Sequence, residues 1–222
     1  MDAYGVIFDM DGVLVDSYGP HYESWRITAE RRGYALPEEV FRKTFGRTNR
    51  AIIPVVTGRS LPPAEMDAWG EEKEVVYREI LARRFPAMPG AEGLIEALVA
   101  DGARLAIGSS GPPENVAIVM ENLPAARRFH AVVTGRDVKN GKPDPEVFLK
   151  SAGRLGLPPK DCAVVEDSPA GLEAARKAGA AAIALVGTAT REALESRADA
   201  VVGSLGELTP ARIRETIANH GR

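Results

Sequence analysis

Cysteine is nearly absent: Cys162 stands alone among 222 residues, so no disulfide framework can form within the chain. It lies in an apolar run, where a buried, inert thiol in a reducing compartment is expected. Basic residues are not in excess either. Lys and Arg total 28 against 31 Asp and Glu, a formal net charge of -3, and no long basic block occurs. That balance argues against a nucleic-acid partner. Histidine is scarce, and His21, His130 and His220 are too scattered for zinc-ligand spacing. No apolar run approaches the ~20 residues needed to cross a bilayer. The opening MDAYGVIFD lacks the basic flank and long apolar core of a secretory signal. A cytoplasmic protein with no membrane partner is the expectation.

What the chain does have is 45% hydrophobic residues, enough for one sizeable core and a smaller appendage. Short apolar runs at 4–8, 103–108, 131–135, 162–166, 181–187 and 199–203 alternate with helix-like segments at 91–100, 114–122, 145–155, 170–178 and 190–197. Most of these runs are apolar on both faces, as in a parallel sheet covered by helices on either side. Such alternation predicts an α/β fold with a Rossmann-like doubly wound parallel sheet. From about Asp16 to Arg84 the rhythm breaks, with only helix-like stretches at 21–32, 38–43 and 65–84. We therefore expect a catalytic core of residues 1–15 and 86–222 and an inserted helical cap domain of residues 16–85.

In an open α/β sheet, ligands bind beyond the carboxyl ends of the strands. The first predicted strand ends in VIFDMDG, with Asp9 and Asp11; the second in Ser109 and Ser110; the fourth in Glu166 and Asp167. Several acids on one edge raise one another's pKa unless a cation separates them. Because every candidate ligand is an oxygen, a hard ion such as Mg²⁺ fits better than Zn²⁺. The turns SSGPPENV and DSPAGLEAARKAGA each lead into a helix amino terminus, which favours an anion such as phosphate. Lys142, before Pro143 in KNGKPDPEVF, brings a basic group to this acidic edge. Singly, these are a turn, a helix cap and a solvated lysine. They point to chemistry because all fall on one edge of one sheet.

DMDGVLVDS, IGSSG, GKPDPEVF and VVEDSPAG, in that order, resemble the haloacid-dehalogenase-like phosphohydrolases, specifically the branch with β-phosphoglucomutase and phosphoglycolate-phosphatase-like enzymes. That resemblance implies Asp9 as nucleophile and Asp11 as general acid and base. It implies Ser109 and Lys142 as phosphoryl ligands, joined by backbone N–H groups near Asp11 and Ser110, with Gly12 also at the substrate. Asp9, Asp11 (through its carbonyl), Glu166 and Asp167 would then form the Mg²⁺ site. Dehalogenases of the superfamily lack the second Asp, so dehalogenation is not expected.

A cap of this kind selects the substrate. His21 and Trp25, in HYESW, match both mutases and phosphatases of the branch. In the mutase pattern a lysine precedes a cap glycine and an arginine follows it. Here Phe45 precedes Gly46 and Asn49 takes the later position, with Arg47, Thr48 and Arg50 as alternative contacts. The expectation is a phosphatase acting on a small phosphorylated metabolite such as a sugar phosphate or phosphoglycolate, as a monomer or small homo-oligomer. The alternatives are a β-phosphoglucomutase-like mutase and, less favoured, a non-catalytic phosphate- or metal-binding domain.

Overall fold

The computed structural model describes residues 3–45 and 47–221. The chain divides into two compact units, Met1–Asp16 with Ala87–Arg222, and Ser17–Pro86. Strand β1 (Gly5–Phe8) is followed by the helical unit of α1 (Tyr18–Arg31), α2 (Glu38–Arg42), α3 (Asn49–Thr57) and α4 (Pro63–Arg83). The chain returns through α5 (Ala91–Ala100), β2 (Arg104–Gly108), α6 (Pro113–Asn122) and β3 (Ala131–Val133). It continues through α7 (Glu146–Leu155), β4 (Cys162–Glu166), α8 (Pro169–Ala178), β5 (Ala181–Leu185), α9 (Arg191–Glu195), β6 (Ala200–Val202) and α10 (Pro210–Asn219).

The six strands are all parallel, in the order β3-β2-β1-β4-β5-β6. From β1 the connections run outward one way through β2 and β3, and the other way through β4 to β6. The switch point of this doubly wound sheet therefore lies between β1 and β4, where such folds bind ligands. Val6, Ile7 and Phe8 are all fully buried, as the two-faced apolar pattern requires. Register does the rest: Phe8 is level with both Ile107 and Val165, and the Asp9 N–H donates to the Val165 carbonyl at 3.0 Å. The next row across the edge is therefore Gly108, Asp9 and Glu166.

The helical unit has its own core of Trp25, Leu36, Phe41, Ile52, Ile53 and Trp69. In α1 the buried positions Ser24, Trp25, Thr28 and Ala29 form one helical face. Two helices lie outside the expected set. Helix α3 contains Pro54, which in a sequence reads as a breaker, and it stops at Gly58 in the left-handed region. Helix α10 buries only Ile213 and Thr216, too thin a stripe to be conspicuous. Helix α1 also begins ahead of His21, at Tyr18, and most strands are a residue or two shorter than their apolar runs. Among the described residues no helix is long and apolar enough to cross a membrane.

Candidate active site

Three carboxylates meet at the β1/β4 switch point. Asp9, Glu166 and Asp167 are all buried, and each offers an oxygen within 4.8 Å of the others'. Lys142 reaches them from the loop between β3 and α7, across a cis Lys142–Pro143 peptide. Its Nζ donates to Asp9 Oδ1 at 2.6 Å and to Glu166 Oε1 at 2.7 Å, with its side chain only 9% exposed.

Each acid is held differently. Glu166 uses both oxygens within the protein: Oε1 takes Lys142, while Oε2 accepts the Ser168 N–H at 2.7 Å and the Ser168 hydroxyl at 2.9 Å. Its carboxylate also leans on helix α8 where Gly171 has no side chain; a Cβ there would lie 1.8 Å from Oε1. Asp167 packs against Gly12, where a Cβ would lie 1.9 Å from Asp167 Oδ2. Gly12 has φ +78°, so its place in the tight turn after β1 suits glycine on both counts.

The Asp11 carboxylate and the Ser109 hydroxyl flank another glycine. A Cβ on Gly111 would lie 3.2 Å from Ser109 Oγ and 3.9 Å from Asp11 Oδ2. Ser109 Oγ accepts the Gly111 N–H at 3.0 Å, so its own proton is the one it can donate onward. Exposed Ser110 follows, ahead of the first turn of α6. The Gly12 N–H donates to the Val15 carbonyl at 2.9 Å, where the chain doubles back. Gly12 leaves space for Asp167.

The charges do not balance. Burial pushes the Asp9 carboxyl up to about 7; Lys142 opposes the rise, and Glu166 and Asp11 add to it. For Asp167, burial and then Glu166 and Asp9 hold the pKa well above the ordinary carboxylate value, against the Thr188 hydrogen bond and Lys142. Burial alone would lower Lys142, but Asp9 and Glu166 raise it above the usual lysine value. One lysine among three buried acids leaves an excess of negative charge that a divalent cation would neutralise. The donors at the cluster are carboxylates, which suits a hard cation. His130 and His220 are engaged elsewhere, with the Leu105 N–H and with Asp199.

The other predicted contacts belong to the helical unit. His21 stacks on Tyr77 with ring centroids 4.0 Å apart, and its Nδ1 lies 2.7 Å from Lys73 Nζ. Arg50 is held in a two-pronged pair by Asp67, at 2.7 and 2.6 Å. Asn49 donates to Glu74 at 3.0 Å. Thr48 occupies the N-cap position of α3 without a side-chain cap bond, and Arg47 is exposed in the turn before it. Gly46 lies outside the described residues.

Two residues enter these clusters without having stood out in the sequence. Lys73 is 2% exposed and donates to Glu74 at 3.0 Å. It sits in GEEKE, which reads as a solvated charged face. Thr188 donates its hydroxyl to Asp167 from the loop after β5, where no motif marks it.

Comparison with known proteins agrees with this picture. The sequence profile of the haloacid dehalogenase-like hydrolases matches residues 5–179. Hexitol phosphatase A of Escherichia coli is 36% identical over 215 residues, covering 94% of each chain. The phosphorylated carbohydrates phosphatase of Thermotoga maritima is 34% identical over 178 residues, 78% of this chain and 81% of the relative. Among solved structures, a β-phosphoglucomutase from Clostridium difficile superposes with a TM-score of 0.85 at 25% identity, covering 98% of each chain. This chain belongs to the haloacid dehalogenase-like hydrolases.

Proposed function

We propose that the protein is a Mg²⁺-dependent cytoplasmic phosphatase that hydrolyses a small phosphomonoester, such as a sugar phosphate or phosphoglycolate, through a phosphorylated Asp9. The observation that carries this reading is Lys142, held between Asp9 and Glu166 at 2.6 and 2.7 Å in a cluster completed by Asp167. A nucleophile, a cation for phosphoryl oxygens and a cation site thus share one strand edge. The phosphatase relatives, at 34% and 36% identity, support the reaction class.

In this reading an Asp9 oxygen attacks phosphorus, forming a P–O bond as the ester P–O bond breaks. Asp11 gives its proton to the departing oxygen, then takes one from the water that attacks the phosphorylated Asp9. That second attack releases inorganic phosphate and restores the Asp9 carboxylate. Lys142, the Ser109 hydroxyl and the Ser110 backbone N–H bind phosphoryl oxygens and offset their charge. Asp9, Asp167 and the Asp11 carbonyl would hold Mg²⁺, with Glu166 fixing Lys142 beside them. Bound Mg²⁺ supplies charge neutralisation at the phosphoryl group. The helical unit serves as the cap, with His21, Arg47, Thr48 and Arg50 as its candidate substrate contacts.

Phosphate release from an aryl phosphate, measured with and without EDTA, tests the reaction class. The proposal expects release that stops on chelation and returns with Mg²⁺. Release that survives chelation would overturn it. A panel of sugar phosphates and phosphoglycolate then identifies the substrate.

Likeness to a β-phosphoglucomutase fold keeps one other reading in play. A mutase would convert glucose-1-phosphate to glucose-6-phosphate, primed by a bisphosphate, faster than it releases phosphate. Asn49, at the position of the mutase arginine, is an amide bound to Glu74, which favours the phosphatase.

A further inference from the structure

Strand β5 keeps pairing with its neighbour as far as Val186, whose N–H donates to the Val202 carbonyl at 2.9 Å. Gly187 then turns the chain, and Thr188 comes back over the strand edge to reach Asp167, one residue past β4. A threonine hydroxyl in a loop ordinarily bonds to water or to nearby backbone. Here it bonds instead to a buried carboxylate far from it in sequence.

Gly12 supplies a second, independent mark of the same arrangement. A Cβ on Gly12 would strike Asp167 Oδ2 at 1.9 Å and Thr188 Oγ1 at 3.0 Å. Three loops, after β1, β4 and β5, thus converge on one carboxylate oxygen. Oδ2 is enclosed by Thr188 and the bare face of Gly12, so Oδ1 is the oxygen left for a cation.

We propose that Thr188 is a positioning residue for the metal site: its hydroxyl occupies Asp167 Oδ2 and so presents Oδ1 to the cation bound with Asp9. This rests on the metal-dependent reading above. Hydrogen bonds to metal-ligating carboxylates orient them, and losing one typically weakens metal binding by about 10- to 100-fold.

Thr188→Val keeps the shape and removes the hydroxyl; Thr188→Ser keeps the hydroxyl and removes the methyl. Mg²⁺ binding to metal-free wild type, T188V, T188A and T188S is measured by titration calorimetry, alongside turnover at saturating Mg²⁺. T188V and T188A should bind Mg²⁺ about tenfold or more weakly. T188S should stay within about threefold of wild type, and saturating Mg²⁺ should restore turnover in every variant. If T188V does not fold, T188A and T188S carry the same contrast. Equal Mg²⁺ affinity in wild type and the hydroxyl-free variants overturns the role of Thr188, and so does equal weakening in T188S. Wild type that binds no Mg²⁺ overturns the metal-dependent reading itself.

Discussion

Gly12 and Asp167 compete for the same space: a Cβ on Gly12 would lie 1.9 Å from Asp167 Oδ2. The glycine also has φ +78°, a conformation that costs a side-chain-bearing residue about 1–3 kcal/mol. Gly12→Ala should therefore lower stability by at least about that amount and displace Asp167. Calorimetric melting and Mg²⁺ titration of the variant check both effects. An unchanged melting temperature with unchanged metal affinity would contradict the packing described.

Gly171→Ala inverts the usual helix rule. Alanine in a helix interior is normally about 1 kcal/mol better than glycine. At position 171 its Cβ would lie 1.8 Å from Glu166 Oε1, inside a buried ion pair. Overpacking of this kind costs about 1–3 kcal/mol, so the net effect should be destabilising, with turnover reduced as Glu166 shifts Lys142. Denaturant unfolding distinguishes the two signs; a stabilised variant would show that Glu166 does not rest on the helix.

Lys142→Met removes the cation between Asp9 and Glu166. Breaking a buried pair this way costs about 3–5 kcal/mol, because the remaining acids are left unpaired. Stability should fall by that order in metal-free protein and recover in part on adding Mg²⁺. Activity should drop at least about hundredfold even at saturating Mg²⁺, since a phosphoryl ligand is gone. Thermal melts with and without metal read the first effect, steady-state kinetics the second.

The pH dependence follows from Asp9. Its folded pKa, about 7, lies above the ordinary carboxylate value, so the folded state holds a proton that the unfolded chain releases. The unfolded state binds fewer protons between about pH 4 and 7, so Asp9 makes metal-free stability fall as pH rises through that window. Asp167 shifts in the same direction and adds to the fall. Mg²⁺ must displace the Asp9 proton below pH 7, so its affinity should weaken by up to about tenfold per pH unit there. Calorimetry from pH 5 to 8 on wild type and Asp9→Asn tests this. The variant should lose the Asp9 share of the slope and keep that of Asp167; retention of the full slope would move the titration to another group.

Much of this site was legible before the fold was in hand, for a definite reason. In a doubly wound sheet a buried strand is an uninterrupted apolar run, and a polar residue at its end, such as Asp9 or Glu166, can only be at the edge. Parallel register then places those ends in one row. Thr188 lies in a loop whose path depends on where β5 stops pairing, which no local pattern states. Lys73 is one charge among several in GEEKE, and only the packing of α1 and α4 turns it inward to His21. The Gly12 N–H is likewise committed by the turn that follows β1, which sends it to the Val15 carbonyl.

The mechanism turns on phosphorylation of Asp9, and acid-quenching the enzyme during turnover of a phosphomonoester tests it most directly. Borohydride reduction followed by peptide mapping then finds any acyl phosphate. Reduction at residue 9 is expected in wild type, dependent on substrate and Mg²⁺, and none in Asp9→Asn, which should also be inactive. Turnover with no acyl phosphate at Asp9, or an active Asp9→Asn enzyme, would contradict it.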